Sequence, residues 1–117
     1  MASETGNDGL PDRDLTAAII AAAIAVHKAL GPGFLESVYE EALCIELEAN
    51  GISHERQKCI QLTYRDRLVG EHRLDLFVAG RVVVELKAAR DLDPVHFAIV
   101  RSYMKAARVD SGLLLNL

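Results

Sequence analysis

The sequence predicts a single α+β (α/β) domain, with the order helix, helix, three strands, helix, strand. Three observations carry this prediction: a length of 117 residues, helical and extended apolar patterns in succession, and turn residues between them. Half of the residues are apolar, which is enough to bury a core. We expect residues 1–13, which are polar and contain two glycines and a proline, to form a flexible N-terminal tail and residues 14–117 to form the domain.

Two helices are expected in the first half of the domain. The first should span about residues 14–30, because its alanine-rich apolar pattern ends at Gly31-Pro32, a pair that stops helices. The second should span about residues 34–50 and end before Gly51. Several glutamates of the second helix exceed the number that a site needs, so we interpret most of them as solvated: Glu40, Glu41, Glu46 and Glu48.

Three strands and a final helix–strand pair are expected in the second half. Turn residues separate the strands at Asp66-Arg67 and Ala79-Gly80. Pro94 suits the first turn of a helix, and the apolar segment that begins at Gly112 predicts a last strand. The expected segments are strands over about residues 58–65, 70–78 and 81–88, a helix over 94–107 and a strand over 112–117.

The charge and the cysteine content exclude few classes of function. The formal net charge is −4, but residues 1–14 hold four acidic side chains and one arginine, so the acidity does not decide for or against a nucleic acid partner. The longest apolar run, residues 17–26, is too short to span a bilayer, and no secretory signal is visible. Cys44 and Cys59 lack metal-binding spacing, so we expect reduced thiols in a cytoplasmic protein without a membrane segment.

Charged residues interrupt two of the predicted strands. Asp75 lies in one extended apolar segment, and Glu85-x-Lys87 lies in the next. Glutamate and lysine are rarely buried unless they are paired, so these side chains need a partner. With Glu36 as a third carboxylate, the oxygen ligands and the lysine would form a Mg²⁺ site for phosphodiester hydrolysis. The alternative is an ion-pair cluster of Arg73, Asp75, Glu85 and Lys87.

The pattern of these two strands also predicts how they pair. With a three-residue connection, Val78 opposes Val82 and Asp75 opposes Glu85, and opposed residues share a face of the sheet. A two-residue connection would mix charged and bulky apolar side chains on both faces. We therefore expect the first register, in which one face is apolar: Leu74, Leu76, Val78, Val82, Val84 and Leu86. The other face would carry Arg73, Asp75, Phe77, Val83, Glu85 and Lys87.

One segment of the second helix carries a resemblance to a known family. Gly33-Phe-Leu-Glu36-Ser-Val-Tyr39 is similar to the GxxExxY signature of small bacterial and archaeal proteins, a family that resembles the PD-(D/E)XK, or restriction-endonuclease-like, nuclease superfamily. One position departs from the family pattern, because Ile99 stands where a glutamine is usual, one turn before Tyr103. Further similar segments are Leu30-Gly31-Pro32-Gly33, Arg73-Leu-Asp75-Leu76, Val84-Glu85-Leu-Lys87-Ala88, Pro94-Val-His96 and Tyr103, so that the resemblance covers roughly residues 14–117.

The resemblance implies a restriction-endonuclease-like core of helix, three strands, helix and strand, with one extra helix in front. It implies that Asp75 is the first strand carboxylate, that Glu85 and Lys87 are the (D/E)-x-K element, and that Glu36 is the acid of the core's first helix. Asp75, Glu85 and the backbone carbonyl of Leu86 would then hold Mg²⁺ or Mn²⁺, with Glu36 as a direct or water-mediated ligand.

Lys87 would orient or deprotonate the attacking water, or neutralise the transition state, and the sequence leaves these roles open. We place Tyr39, Arg73 and Tyr103 around the ligands as supporting groups. Arg90 is the expected phosphate contact near the site. The last helix also carries a basic stripe, which we interpret as an ordinary solvated face: Arg101, Lys105 and Arg108.

Two functions of different classes follow. The first is a metal-dependent nuclease or phosphodiesterase that hydrolyses nucleic acid, and the intact Asp75, Glu85 and Lys87 favour it. The second is a non-catalytic binding or regulatory module with a nuclease-like fold, which the small size, the acidic charge and Ile99 favour. A homodimer would widen the surface that such a small chain offers to a duplex, although no feature of the sequence demonstrates one.

Overall fold

A computed structural model of the chain describes residues 12–117 and the backbone of residues 2–6. The helices and strands follow the predicted order, which confirms the fold class, and one further strand precedes them. The helices are α1 (Arg13–Leu30), α2 (Glu36–Ala49) and α3 (Pro94–Ala107). The strands are β1 (Ala2–Gly6), β2 (His54–Tyr64), β3 (Arg67–Val78), β4 (Val82–Lys87) and β5 (Ser111–Asn116).

The first strand lies where the sequence predicted a flexible tail. The backbone of β1 pairs antiparallel with β5, from Ala2 opposite Leu115 to Gly6 opposite Ser111. Without β1, β5 would be the edge of the sheet, and its free N–H and C=O groups would be open to any extended segment. Arg13, which was also assigned to the tail, is the first residue of α1. The rest of the predicted tail, residues 1 and 7–11, lies outside the described residues.

The five strands form one mixed sheet in the order β1-β5-β4-β3-β2. β4 and β5 are parallel and are joined through α3, whereas the other neighbours are antiparallel. A parallel pair needs a crossover connection of this kind, which explains why α3 lies between the two strands in sequence. No helix in the described part of the chain is both long and apolar enough to cross a membrane.

The connection between β3 and β4 has the predicted three residues. Val78 lies opposite Val82, Phe77 opposite Val83, and Leu76 opposite Val84, which confirms the expected register. The register matters for the site because Asp75 and Glu85 follow as the next pair of residues along the two strands.

The sheet separates two apolar clusters. The larger one joins α1 and α2 to one face of the sheet, and its members include Ile19, Val26, Leu43, Leu47, Leu76, Val84 and Leu86. The smaller one packs α3 against the other face and contains Leu74, Val83, Val100, Met104 and Leu114. Helix α3 lies so close to β5 that a Cβ at Gly112 would come within 2.8 Å of Val100 Cγ1.

One residue of the predicted apolar face lies on the other side of the sheet. Leu74 was expected to share a face with Leu76, but it packs in the α3 cluster while Leu76 packs against α1 and α2. The regular alternation is broken between them, at Asp75. Gln57 of β2, which lies between the pairs Arg56–Leu76 and Lys58–Leu74, has a left-handed backbone with φ of 50°. The left-handed residue therefore lies beside the break in alternation, while the register of β2 and β3 is the same on both sides of it.

Candidate active site

The carboxylates of Asp75 and Glu85 bridge β3 and β4 where the regular pairing of these strands ends. The backbone N–H of Asp75 donates a hydrogen bond to Glu85 Oε1 at 3.0 Å. In return, the backbone N–H of Leu86 donates to Asp75 Oδ2 at 2.9 Å. Each carboxylate therefore occupies a place that a backbone carbonyl would take in a continued sheet. These reciprocal bonds fix both acidic groups in one orientation.

Glu85 lies in an environment that disfavours its charge. Its side chain is buried, with 8% of the residue exposed. Burial raises the pKa of the Glu85 carboxyl to about 8, and the charge of Asp75 raises it further, whereas the backbone hydrogen bond from Asp75 and the charge of Lys87 act in the opposite direction. Near neutral pH, the Glu85 carboxyl therefore tends to keep its proton, and a positive charge beside it would favour the ionised form.

Lys87 follows two residues after Glu85 on the same strand. It is half-buried and lies opposite Asn116 of β5. Its charge lowers the pKa of Glu85, but burial and the charge of Asp75 outweigh this effect. Within residues 12–117, no salt bridge joins Lys87 or Arg73 to Asp75 or Glu85. The alternative of a four-residue ion-pair cluster is therefore wrong.

Tyr103 of α3 lies near the carboxylate pair. It is half-buried, and its pKa is raised by burial and by the charges of Glu85 and Asp75. Its ring is 4.3 Å from the ring of His72 on β3, measured between centroids. The structure thus places Tyr103 near Asp75 and Glu85, and its role as a supporting group stays a prediction.

Two residues that the sequence analysis did not select connect α2 to the site. Glu40 is buried, with 8% of the residue exposed, and its Oε1 accepts a hydrogen bond from Gln57 Nε2 at 2.8 Å. The same Gln57 nitrogen lies 3.4 Å from Asp75 Oδ1. Arg56 holds the other oxygen of Glu40 at 3.0 Å. Gln57 therefore links the buried carboxylate of α2 to the strand carboxylate.

Glu40 is thus the buried exception among the four glutamates that follow Glu36 on α2, most of which were interpreted as solvated. Glu40 lies one turn after Glu36 on α2, and the spacing alone gave no reason to prefer either residue. Glu36 is exposed at the first position of α2. The structure does not bring it together with Asp75 and Glu85, since residues 12–117 contain no group of three acidic, histidine or cysteine side chains that would hold a cation.

Within residues 12–117, the carboxylates of Asp75 and Glu85 form no hydrogen bond with Tyr39, Arg73 or Arg90. The Tyr39 hydroxyl donates to the carbonyl of Gly31 at 2.7 Å and accepts from the N–H of Phe34 at 3.2 Å, so it holds the connection between α1 and α2. Arg73 is exposed on β3, and Arg90 is exposed in the connection between β4 and α3.

The connection that carries Arg90 is fixed at its start by the last strand. The side-chain amide of Asn116 accepts from the N–H of Ala89 at 3.0 Å and donates to the carbonyl of Ala89 at 2.9 Å. The backbone N–H of Leu117 also donates to the carbonyl of Lys87 at 2.9 Å. These bonds place the end of β4, with Lys87, firmly beside β5.

The donor set suits a hard divalent cation. Asp75 and Glu85 offer carboxylate oxygens, and Glu85 Oε2 has no hydrogen-bond partner within residues 12–117. Mg²⁺ is commonly held by one or two carboxylates, with water and substrate phosphate completing its ligands. A pair of carboxylates is therefore sufficient for Mg²⁺ or Mn²⁺, and the raised pKa of Glu85 is what a site built for an added positive charge would show.

Comparison with known proteins agrees with the fold class. A family model described as the PD-(D/E)XK nuclease superfamily matches residues 13–117. No curated protein and no solved structure matches the chain. The closer resemblance to GxxExxY proteins stays a prediction. Because the superfamily match spans nearly the whole chain and includes both strand carboxylates and Lys87, the chain belongs to the PD-(D/E)XK nuclease superfamily.

Proposed function

We propose that this chain is a nuclease that hydrolyses phosphodiester bonds in nucleic acid with the help of Mg²⁺ or Mn²⁺ held by Asp75 and Glu85. The observation that carries the proposal is the reciprocal pair of carboxylate–amide hydrogen bonds between β3 and β4. Two acidic groups side by side repel each other and destabilise the fold unless a positive charge joins them. An arrangement that orients both groups toward one another is therefore explained better by a cation than by packing.

Each residue of the pair has a distinct task in this proposal. Glu85 loses its proton and binds the cation through its carboxylate, while Asp75 supplies the second carboxylate. The carbonyl of Leu86 is the further oxygen ligand that the sequence predicted. A bound divalent cation lowers the pKa of water and offsets negative charge on a phosphate.

Lys87 is the proposed proton-transfer or charge-neutralising group. It shares the α3 side of β4 with Glu85, because side chains two residues apart on a strand point to the same face. Its ammonium group would orient the attacking water or neutralise the developing charge on the phosphate, which are the roles that a positioned cation performs in hydrolysis.

The test begins with calorimetric titration of Mn²⁺ into the wild type, Asp75→Asn and Glu85→Gln. We expect one saturable site in the wild type and its loss in both variants. Glu71→Gln is the matched control, because Glu71 is an exposed carboxylate on β3 whose one side-chain hydrogen bond within residues 12–117 comes from the Cys59 thiol. The control should bind Mn²⁺ as the wild type does.

The titration is repeated with a phosphorothioate oligonucleotide present, so that a site completed by substrate phosphate is also detected. Cleavage of single-stranded and duplex DNA and RNA is then measured with Mg²⁺ and Mn²⁺, and both site variants should be inactive. Equal Mn²⁺ binding by Glu85→Gln and Glu71→Gln would refute the proposal that Glu85 holds the cation. Absence of Mn²⁺ binding with and without the oligonucleotide would favour the non-catalytic module instead.

A further inference from the structure

A groove of about 620 Å³ runs between the β2–β3 hairpin and α3. The hairpin side of the groove includes Gln61, Thr63 and His72. The α3 side includes Ser102, Lys105 and Arg108. The groove is thus the space between the hairpin and α3 that the apolar core does not fill.

The charge of the groove has one sign. Lys105 and Arg108 are both exposed, and none of the residues that line the groove is acidic. In the part of the chain that the structure describes, neither cation forms a salt bridge. Two free cations in a concave, acid-free surface favour an anionic occupant, although the whole chain is acidic.

The groove leads to the carboxylate pair. His72 lines the groove, and its ring lies 4.3 Å from the ring of Tyr103. Tyr103 in turn packs against the apolar cluster of α3 that contains Leu74, the residue before Asp75 on β3. The path from the basic groove to the acidic site therefore passes over the rings of His72 and Tyr103, which are tilted by 56° to each other. An occupant of the groove would lie next to a phosphate held at the carboxylate pair.

We propose that this groove holds one strand of the nucleic acid substrate, with Lys105 and Arg108 as its phosphate contacts. The inference rests on the proposed nuclease function and names its binding surface. A nucleic acid strand fits better than an acidic peptide because it carries regularly spaced phosphates, one of which must reach Asp75 and Glu85 while its neighbours lie alongside. Phosphate contacts of this kind position the strand without reading its sequence.

The structure also divides the basic stripe of α3 into two parts. The sequence analysis treated Arg101, Lys105 and Arg108 as one solvated face, but only Lys105 and Arg108 line the groove. Arg101 is exposed on the same helix and carries the same charge. It therefore serves as a control for any effect of net charge alone.

The experiment measures binding of labelled single-stranded and duplex oligonucleotides by fluorescence anisotropy in EDTA, where hydrolysis cannot occur. We expect Lys105→Gln/Arg108→Gln to weaken single-strand binding roughly tenfold at low salt. The slope of log K against log salt should fall in magnitude by about 1.4, since each phosphate contact on a single strand contributes about 0.7. Arg101→Gln should change neither quantity measurably.

Several outcomes would overturn the proposal that the groove holds a nucleic acid strand. These are absence of oligonucleotide binding by the wild type, an equal effect of Arg101→Gln, and an unchanged salt slope in the double variant. Competition by polyglutamate as strong as by the oligonucleotide would assign the groove to an acidic protein partner instead. The Mn²⁺ titration of the double variant separates the two proposals, because it should match the wild type whether or not the groove binds a strand.

Discussion

The two ends of the β3–β4 pair are held together in different ways, although the residues concerned are neighbours on the strands. At the turn end, Val78, Leu76 and Val84 pair through the backbone and are fully buried against α1 and α2. One residue further along, Asp75 and Glu85 replace the backbone pairing with carboxylate–amide bonds. The stabilising core and the proposed metal site are therefore separated within a single hairpin, at the step from Leu76 to Asp75.

The carboxylate end carries an energetic cost that the turn end does not. A buried carboxylate beside a second one is disfavoured in its charged form, as the raised pKa of Glu85 shows. The amide hydrogen bonds offset part of this cost by favouring the ionised groups. The apolar end has no such conflict, because burial of apolar side chains is favourable throughout.

The largest expected effect is on stability and belongs to the turn end. Leu76→Ala should lower the free energy of unfolding by about 2–5 kcal/mol, because Leu76 is completely buried and the surrounding cluster cannot fill the space. Urea unfolding in EDTA measures this loss. Leu68→Ala is the control on the same strand, because Leu68 is 58% exposed, and it should change the free energy by no more than about 0.5 kcal/mol.

The same two variants test whether the ends are separate. Folded Leu76→Ala protein, kept cold to limit unfolding, should bind Mn²⁺ as the wild type does, because no carboxylate has changed. If Leu76→Ala and Leu68→Ala were equally stable, the turn end would not provide the stability that its burial implies.

The second effect is a dependence of metal affinity on pH at the carboxylate end. The Glu85 carboxyl has a pKa of about 8, so below that pH a cation must displace its proton. Affinity for Mn²⁺ should therefore rise with pH, by at most about tenfold per unit over roughly pH 6–8, and then level off. Calorimetry in two buffers of different ionisation enthalpy should show release of close to one proton at the lower pH.

The raised pKa of Glu85 also makes the stability of the metal-free protein depend on pH. Because the folded pKa of Glu85 lies above its ordinary value of 4.5, the folded state holds a proton that the unfolded state has lost between these two values. The wild type should therefore lose stability relative to Glu85→Gln as the pH rises through this range. A Mn²⁺ affinity that does not change between about pH 6 and 8 would contradict a protonated Glu85.

Much of the carboxylate end could be predicted from the sequence. Charged residues segregate from apolar ones in only one register, so the pairing of Val78 with Val82 and the proximity of Asp75 to Glu85 followed from the pattern alone. The α3 boundaries were also predictable, since Pro94 begins the helix and the side chain of Asp93 caps its N-terminus.

Other features of the site depend on tertiary structure. The choice between Glu36 and Glu40 is decided by where α2 crosses β2, because Arg56 and Gln57 of β2 both hydrogen-bond to Glu40. Leu74 packs on the α3 side of the sheet beside the left-handed Gln57, and neither feature has a signature in residue type. Pairing of β1 likewise depends on which strand is left at the edge of the sheet.

The smallest expected effect tests the link between α2 and the carboxylate end, at Gln57. A left-handed backbone costs a non-glycine residue about 1–2 kcal/mol, so Gln57→Gly should be more stable than Gln57→Ala by about 1 kcal/mol. At Lys58, an ordinary strand position, the order should reverse, and glycine should be less stable than alanine. Both Gln57 variants lose the amide that bridges Glu40 and Asp75, so both should bind Mn²⁺ equally and more weakly than the wild type. If only the alanine variant lost affinity, the backbone at Gln57 rather than its side chain would set the position of Asp75.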